Sequence, residues 1–176
     1  SAIQQRYWAN TFGGVSGGGS WDSGPFSFPA HRYRFRMFCQ AAFRTVAVDI
    51  KPGSCPNPLS CRSQGLLPAA VLGSLDLDVT EIAVASLQLA GVPPIRSAVE
   101  DVAAPFFPLE ERAACDDCTA EGPDGYPDLT LKFDRQEVLA AIGPAPDRSC
   151  VTLTLTATTL SGNSLVGEDV VRFQCP

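Results

Sequence analysis

The sequence predicts an all-β fold, mainly an antiparallel β-sandwich, with one short helix. Two observations predict it. Apolar residues recur at every second position in several segments, which is the period of a strand with one buried face. Glycine- and proline-rich turns separate these segments, and a single capping pattern opens the only convincing helix. Roughly six to eight short strands beside one helix suit two packed sheets better than an alternating α/β architecture.

Residues 1–30 read as an apolar arm and a glycine-rich hinge, with Tyr7, Trp8 and Phe12 before Gly13–Ser20 and Trp21, Phe26 and Phe28 after it. The sandwich domain is assigned to residues 31–176. His31–Phe38 alternates Tyr33, Phe35 and Met37 with Arg32, Arg34 and Arg36, so a strand is expected. Arg44–Ile50 repeats the pattern with Val46, Val48 and Ile50 inward. Lys51–Gln64 is turn-rich. Leu66–Leu72 is an apolar run containing Pro68; proline has no N–H for a ladder, so an edge or bulged strand is expected. Val79–Leu89 reads as a short turn leading into a strand.

Asp128–Phe133 directs Leu129, Leu131 and Phe133 inward. Asp134 is then an N-cap with Glu137 three residues on, Val138, Leu139 and Ile142 form the apolar stripe, and Gly143-Pro144 ends the helix. Cys150–Thr159 alternates Val151, Leu153 and Leu155 with Thr152, Thr154 and Thr156. Ser161-Gly162-Asn163 is a turn, and Glu168–Cys175 is the closing strand through Val170, Val171 and Phe173.

The composition narrows the functional classes. With 176 residues and 45% apolar content the chain can bury a substantial core, which argues against disorder. No apolar run approaches the roughly 20 residues that span a bilayer. The net charge is −6, and the acids concentrate between residues 76 and 137. An acidic middle disfavours nucleic acid and favours a hard cation. The chain starts at Ser1 without a basic, then apolar, leader, so either a signal peptide is expected to have been removed or the start of the chain to have been trimmed.

Seven cysteines accompany a single histidine, His31. The lone CxxC, Cys115–Cys118, lacks the second pair a zinc site needs and the helix N-terminus a redox motif needs. Disulfides made in an oxidising compartment are therefore expected, and with them an extracellular location, secreted or at the cell surface. The expected bridges are Cys115–Cys118 and Cys55–Cys61 as local closures and Cys39–Cys175 between the first and last strands. Cys150 is then left over, with Cys55–Cys150 as the alternative.

The candidate site is the acidic loop from Glu121 to Asp128. Glu121, Asp124 and Asp128 flank Gly122 and Gly125 just before a strand. Calcium takes six to eight oxygens at flexible geometry, so carboxylates spaced over a glycine turn can converge on Ca2+, with the Tyr126 carbonyl as a further ligand. Gly125 supplies the positive φ such a turn favours.

Val48-Asp49-Ile50-Lys51-Pro52-Gly53-Ser54, Gly65-Leu66-Leu67-Pro68-Ala69-Ala70-Val71-Leu72-Gly73, Glu100-Asp101-Val102 and the run Gly122–Phe133 together resemble a module of secreted and surface proteins of bacteria and archaea. Its pattern runs "VDIKPGS", "GVIPVAILG" and "EDVNGDGxxDLxLHF". The resemblance covers about residues 46–174 and implies a non-catalytic β domain. It also implies that Asp101, Asp124 and Asp128, with Glu100 beside them, are the acidic loop positions. Residues 103–121 interrupt that pattern, and Glu121, Asp116 or Asp117 are the candidates for its middle acid.

The function expected from these readings is non-catalytic: a calcium-binding extracellular module serving a structural, adhesive or filament-forming surface protein. Gly14-Val15-Ser16-Gly17-Gly18 fits a GxSxG pattern, but glycines replace the strand and helix a nucleophile elbow needs. Expected partners are a second copy of the chain, through exchange of an N-terminal strand, or other surface proteins. Two alternatives are a carbohydrate-binding module stacking sugars on Trp8, Trp21 and Tyr126, and a secreted hydrolase using paired acids such as Glu110-Glu111.

Overall fold

In the computed structural model the described residues run from Phe43 to Cys175. The arm of residues 1–30, the boundary at residue 31, the strand expected at His31–Phe38 and Cys39 lie outside them. Nine strands and one α-helix follow: β1 (Arg44–Thr45), β2 (Val48–Ile50), β3 (Asn57–Ser60), β4 (Leu66–Val71), β5 (Gln88–Leu89), β6 (Arg96–Glu100), β7 (Asp128–Asp134), α1 (Arg135–Ile142), β8 (Cys150–Thr158) and β9 (Ser164–Gln174). Two 3-10 turns, Val79–Glu81 and Val84–Ser86, precede β5.

The strands form two sheets. One is antiparallel throughout, in the order β2-β4-β7-β6. The other has the order β1-β9-β8-β5, and β3 also pairs with β9. In it β1 and β3 run parallel to β9, while the β8–β9 hairpin, turned at Ser161-Gly162-Asn163, is antiparallel. The all-β expectation therefore holds, with one short helix.

The core lies between the sheets. Val48, Ile50, Leu67, Val71, Leu131 and Phe133 from one sheet meet Leu59, Leu155, Leu165 and Val171 from the other, all buried. Full burial of a side chain the size of Phe133 stabilises the fold by about 1.5–3 kcal/mol. The alternation read in β8 is visible directly: Leu153, Leu155 and Ala157 are buried and Thr152 and Thr156 are exposed.

Two expectations about strands are corrected. Arg44–Ile50 is not one strand, because the chain changes sheets inside it. The Val46 N–H donates to Val166 at 2.8 Å on one sheet, and the Ala47 carbonyl accepts from the Leu72 N–H at 2.9 Å on the other. Val46, Val48 and Ile50 are buried all the same. Leu66–Leu72 is likewise not an edge strand: β4 lies inside its sheet, between β2 and β7. Pro68 is tolerated because its missing N–H faces Lys51, where β2 has ended. Lys51 leaves the ladder with φ 67°, donates its own N–H to the Pro68 carbonyl at 3.0 Å, and turns its carbonyl to the Ser54 N–H.

The helix forms as its sequence dictates. The Asp134 carboxylate accepts from the N–H groups of Gln136 and Glu137, at 2.8 and 3.0 Å. Gly143, with φ 76°, ends it. Val138 is its buried contact with the core.

Candidate functional site

The acidic positions that the sequence splits between Glu100-Asp101 and Glu121–Asp128 meet at one end of the β6–β7 pair. Register places Glu100 opposite Asp128. The Asp101 carboxylate accepts from the Asp124 N–H at 3.1 Å and from the Gly125 N–H at 2.9 Å. Asp124 Oδ1 in turn accepts from the Tyr126 N–H at 3.0 Å, closing a tight turn whose Gly125 has φ 97°. The two halves are thus bound to each other, and the glycine stands where its conformation is needed.

Asp128 is a clamp. It is fully buried. Its Oδ1 accepts from the Gly73 N–H at 2.9 Å, and its Oδ2 from the N–H groups of Val102 and Ala103, at 2.8 and 3.2 Å. Burial pushes this carboxyl above its ordinary range, the three backbone donors pull it back, and the nearby Asp101 charge adds to the rise. Gly73 has to be glycine: a Cβ there would overlap the carbonyl oxygen of Pro127.

The other predicted positions are less engaged. Glu100 accepts from the Thr130 hydroxyl on the exposed face of its strand. Glu121 is exposed, and its N–H donates to Thr119 Oγ1. Tyr126 is half-exposed and bonds through its N–H. Among the described residues no three His, Cys, Asp or Glu side chains gather closely enough to hold an ion between them. The donors at the loop mouth are nonetheless hard oxygens, those of Asp101 and Asp124, which suit calcium in chemistry; backbone carbonyls and water would have to complete the shell.

A second polar cluster escaped the sequence reading. Arg112, 5% exposed, lies against Asp169 of β9, 1% exposed, with Nη1 3.1 Å from Oδ1. Asp169 also accepts from the Ile50 N–H, the Val170 N–H and the Asn57 amide. Arg112 donates further to the carbonyls of Phe106 and Pro108 and stacks over the Phe106 ring at 5.3 Å. Asp49 lies beside this pair, 7% exposed, with Oδ2 lacking a hydrogen-bond partner among the described residues. Burial first, then the Asp169 charge, raises the Asp49 carboxyl to about 7, and Arg112 only partly opposes them. Burial likewise raises Asp169 to about 6 against its backbone donors and Arg112. The available cue was Asp169 itself, a charge on the same phase of β9 as Leu165, Val171 and Phe173.

The disulfides differ from every expected pairing. They are Cys55–Cys118, Cys61–Cys175 and Cys115–Cys150. Cys115–Cys118 and Cys55–Cys61 are therefore not local closures, Cys175 is taken by Cys61 rather than Cys39, and Cys150 is paired, though not with Cys55. The reason lies in the turn between Cys115 and Cys118. Asp117 accepts from the N–H groups of Ala113 and Ala114, at 2.9 and 2.8 Å, and sends one cysteine toward β8 and the other toward the loop after β2. Residues 103–121 are thus fastened by Asp128 at their start, Arg112 in the middle and two disulfides near their end.

The fold and this site describe a disulfide-fastened β-sandwich with an acidic loop pair. Compared with models of known families, with curated proteins and with solved structures, the chain matches none of them.

Proposed function

We propose that this is a non-catalytic, calcium-stabilised extracellular module, serving a structural, adhesive or filament-forming surface protein. The observation that carries the reading is the junction at Asp101, whose carboxylate joins the two acidic segments through the backbone of Asp124 and Gly125. A calcium ion at the mouth of that junction does no chemistry. It adds charge-compensating bonds between loops already held in register, so its binding energy becomes folding energy.

Three disulfides, and the lack among the described residues of any helix long and apolar enough to cross a membrane, are compatible with an extracellular setting. The partner in this reading is a second copy, joined through residues 1–30, or another surface protein. Deleting residues 1–20 should leave a folded domain that no longer self-associates on size-exclusion chromatography.

The deciding experiment is a thermal melt of the full chain in chelator and then in excess calcium. At a concentration about a hundred times Kd, calcium should stabilise the chain by about 2.7 kcal/mol. Coincident melts, with no metal found by elemental analysis, would refute the calcium reading.

A further inference from the structure

The sheet that carries β9 has an open cleft of about 630 Å³ where that strand ends at Gln174, lined by Ser60, Arg62, Asp147, Arg148, Arg172 and Gln174. We propose that this cleft binds a uronate-bearing sugar chain. Its guanidinium groups take the sugar carboxylate, and Ser60, Gln174 and Asp147 take hydroxyls.

The chain has a net charge of −6, yet three arginines share one concave surface. Asp147, 3.7 Å from Arg148, offsets one of them, and the lining still carries more positive than negative groups against the sign of the whole molecule, which marks a place for an anion. The planar fork of a guanidinium matches a carboxylate in two-pronged geometry, which a lysine does not.

The remaining lining narrows the anion. An open cleft of about 630 Å³ has room for a small organic ligand, well beyond a lone inorganic ion. Asp147 works against a dense polyphosphate, but it is an acceptor for sugar hydroxyls. Ser60 and Gln174 both donate and accept. Among the described residues no aromatic ring lines the cleft, so they offer a neutral sugar nothing to stack on.

The walls are fixed before a ligand arrives. Cys61 lies between Ser60 and Arg62, Cys175 follows Gln174, and the two cysteines are bonded. The Cys175 N–H donates to Asp147 Oδ1 at 2.9 Å, and the Arg148 N–H donates to the Phe173 carbonyl at 2.8 Å. Three chain segments are therefore locked around the cleft, which lowers the ordering cost of binding.

The test is titration calorimetry of the full chain with a short oligogalacturonate, run in chelator so that calcium and the acidic loop play no part. Binding should appear, weaken as salt rises, and vanish for the methyl-esterified oligomer. Arg148→Ala and Arg172→Ala, both at exposed positions, should each lower affinity about tenfold, with melting temperatures unchanged. No binding by the parent, equal binding of the ester, unaltered binding by both variants, or a polyphosphate bound as tightly would each overturn the proposal.

Discussion

Arg112 Nη1 lies 3.1 Å from Asp169 Oδ1, and this buried ion pair ties the 103–121 segment to strand β9. Its surroundings make it asymmetric. Asp169 has backbone and amide donors besides the arginine, whereas Arg112 is, among the described residues, the one cation that moves both Asp169 and Asp49. Removing the arginine leaves buried carboxylates uncompensated, which is the costly way to break such a pair. Arg112→Met should destabilise the chain by about 3–5 kcal/mol in urea unfolding at neutral pH. A cost under about 1 kcal/mol would mean that water already compensates Asp169.

The same cluster sets a pH dependence. Asp49 is raised from 3.8 to about 7 in the folded chain. Between those values the folded state holds a proton that the unfolded state has released. Stability therefore falls as pH rises through this window, and the loss is complete above the folded value. Asp169, raised to about 6, pulls in the same direction over the lower part of the window. Urea midpoints should be higher near about pH 5 than near about pH 8, and Asp49→Asn should flatten the difference. A parent midpoint that climbs with pH would show that Asp49 is ionised in the fold.

What the sequence disclosed and what it hid divide along physical lines. Local patterns were legible: the alternation of β8, the Asp134 cap of α1 and the Gly125 turn each depend on residues a few positions apart. The meeting of Asp101 with Asp124 was visible only through a resemblance, since it joins residues 23 apart. The change of sheet at Val46–Ala47 left no mark, because Val46 and Val48 are buried on either side of it. Strand β3 escaped because Asn57-Pro58 reads as a turn, although it pairs in parallel with Val171 and Arg172. Disulfide pairing and the partner of Arg112 depend on how residues 103–121 fold back, and no short-range pattern encodes that path.

Asp101 and Asp128 should separate on substitution, although both accept backbone N–H bonds. Asp128 is fully buried and serves three donors, of which Asp128→Ala would leave two, those of Gly73 and Ala103, unpaired in the interior. A loss of at least about 2–3 kcal/mol is expected in denaturant unfolding. Gly73→Ala should be comparably harmful, because the new methyl meets the Pro127 carbonyl where the Gly73 N–H approaches Asp128. The donors that Asp101 serves are exposed and can turn to water. Asp101→Ala should therefore cost no more than about 1 kcal/mol in chelator. It should also abolish any stabilisation by calcium, which separates a ligand from a clamp.

The disulfides offer the most direct check on how residues 103–121 are held. Non-reducing peptide mapping should recover Cys55–Cys118, Cys61–Cys175 and Cys115–Cys150. Each bridge joins segments far apart in sequence, so each restricts the unfolded chain more than a local closure does. Replacing Cys115 and Cys150 by serine should lower stability by roughly 2–4 kcal/mol. The loss should overlap with that of Arg112→Met rather than add to it, because both changes release the same segment from the sheet of β8 and β9. Full additivity in the combined variant would show that Arg112 and the Cys115–Cys150 bridge act on separate parts of the fold.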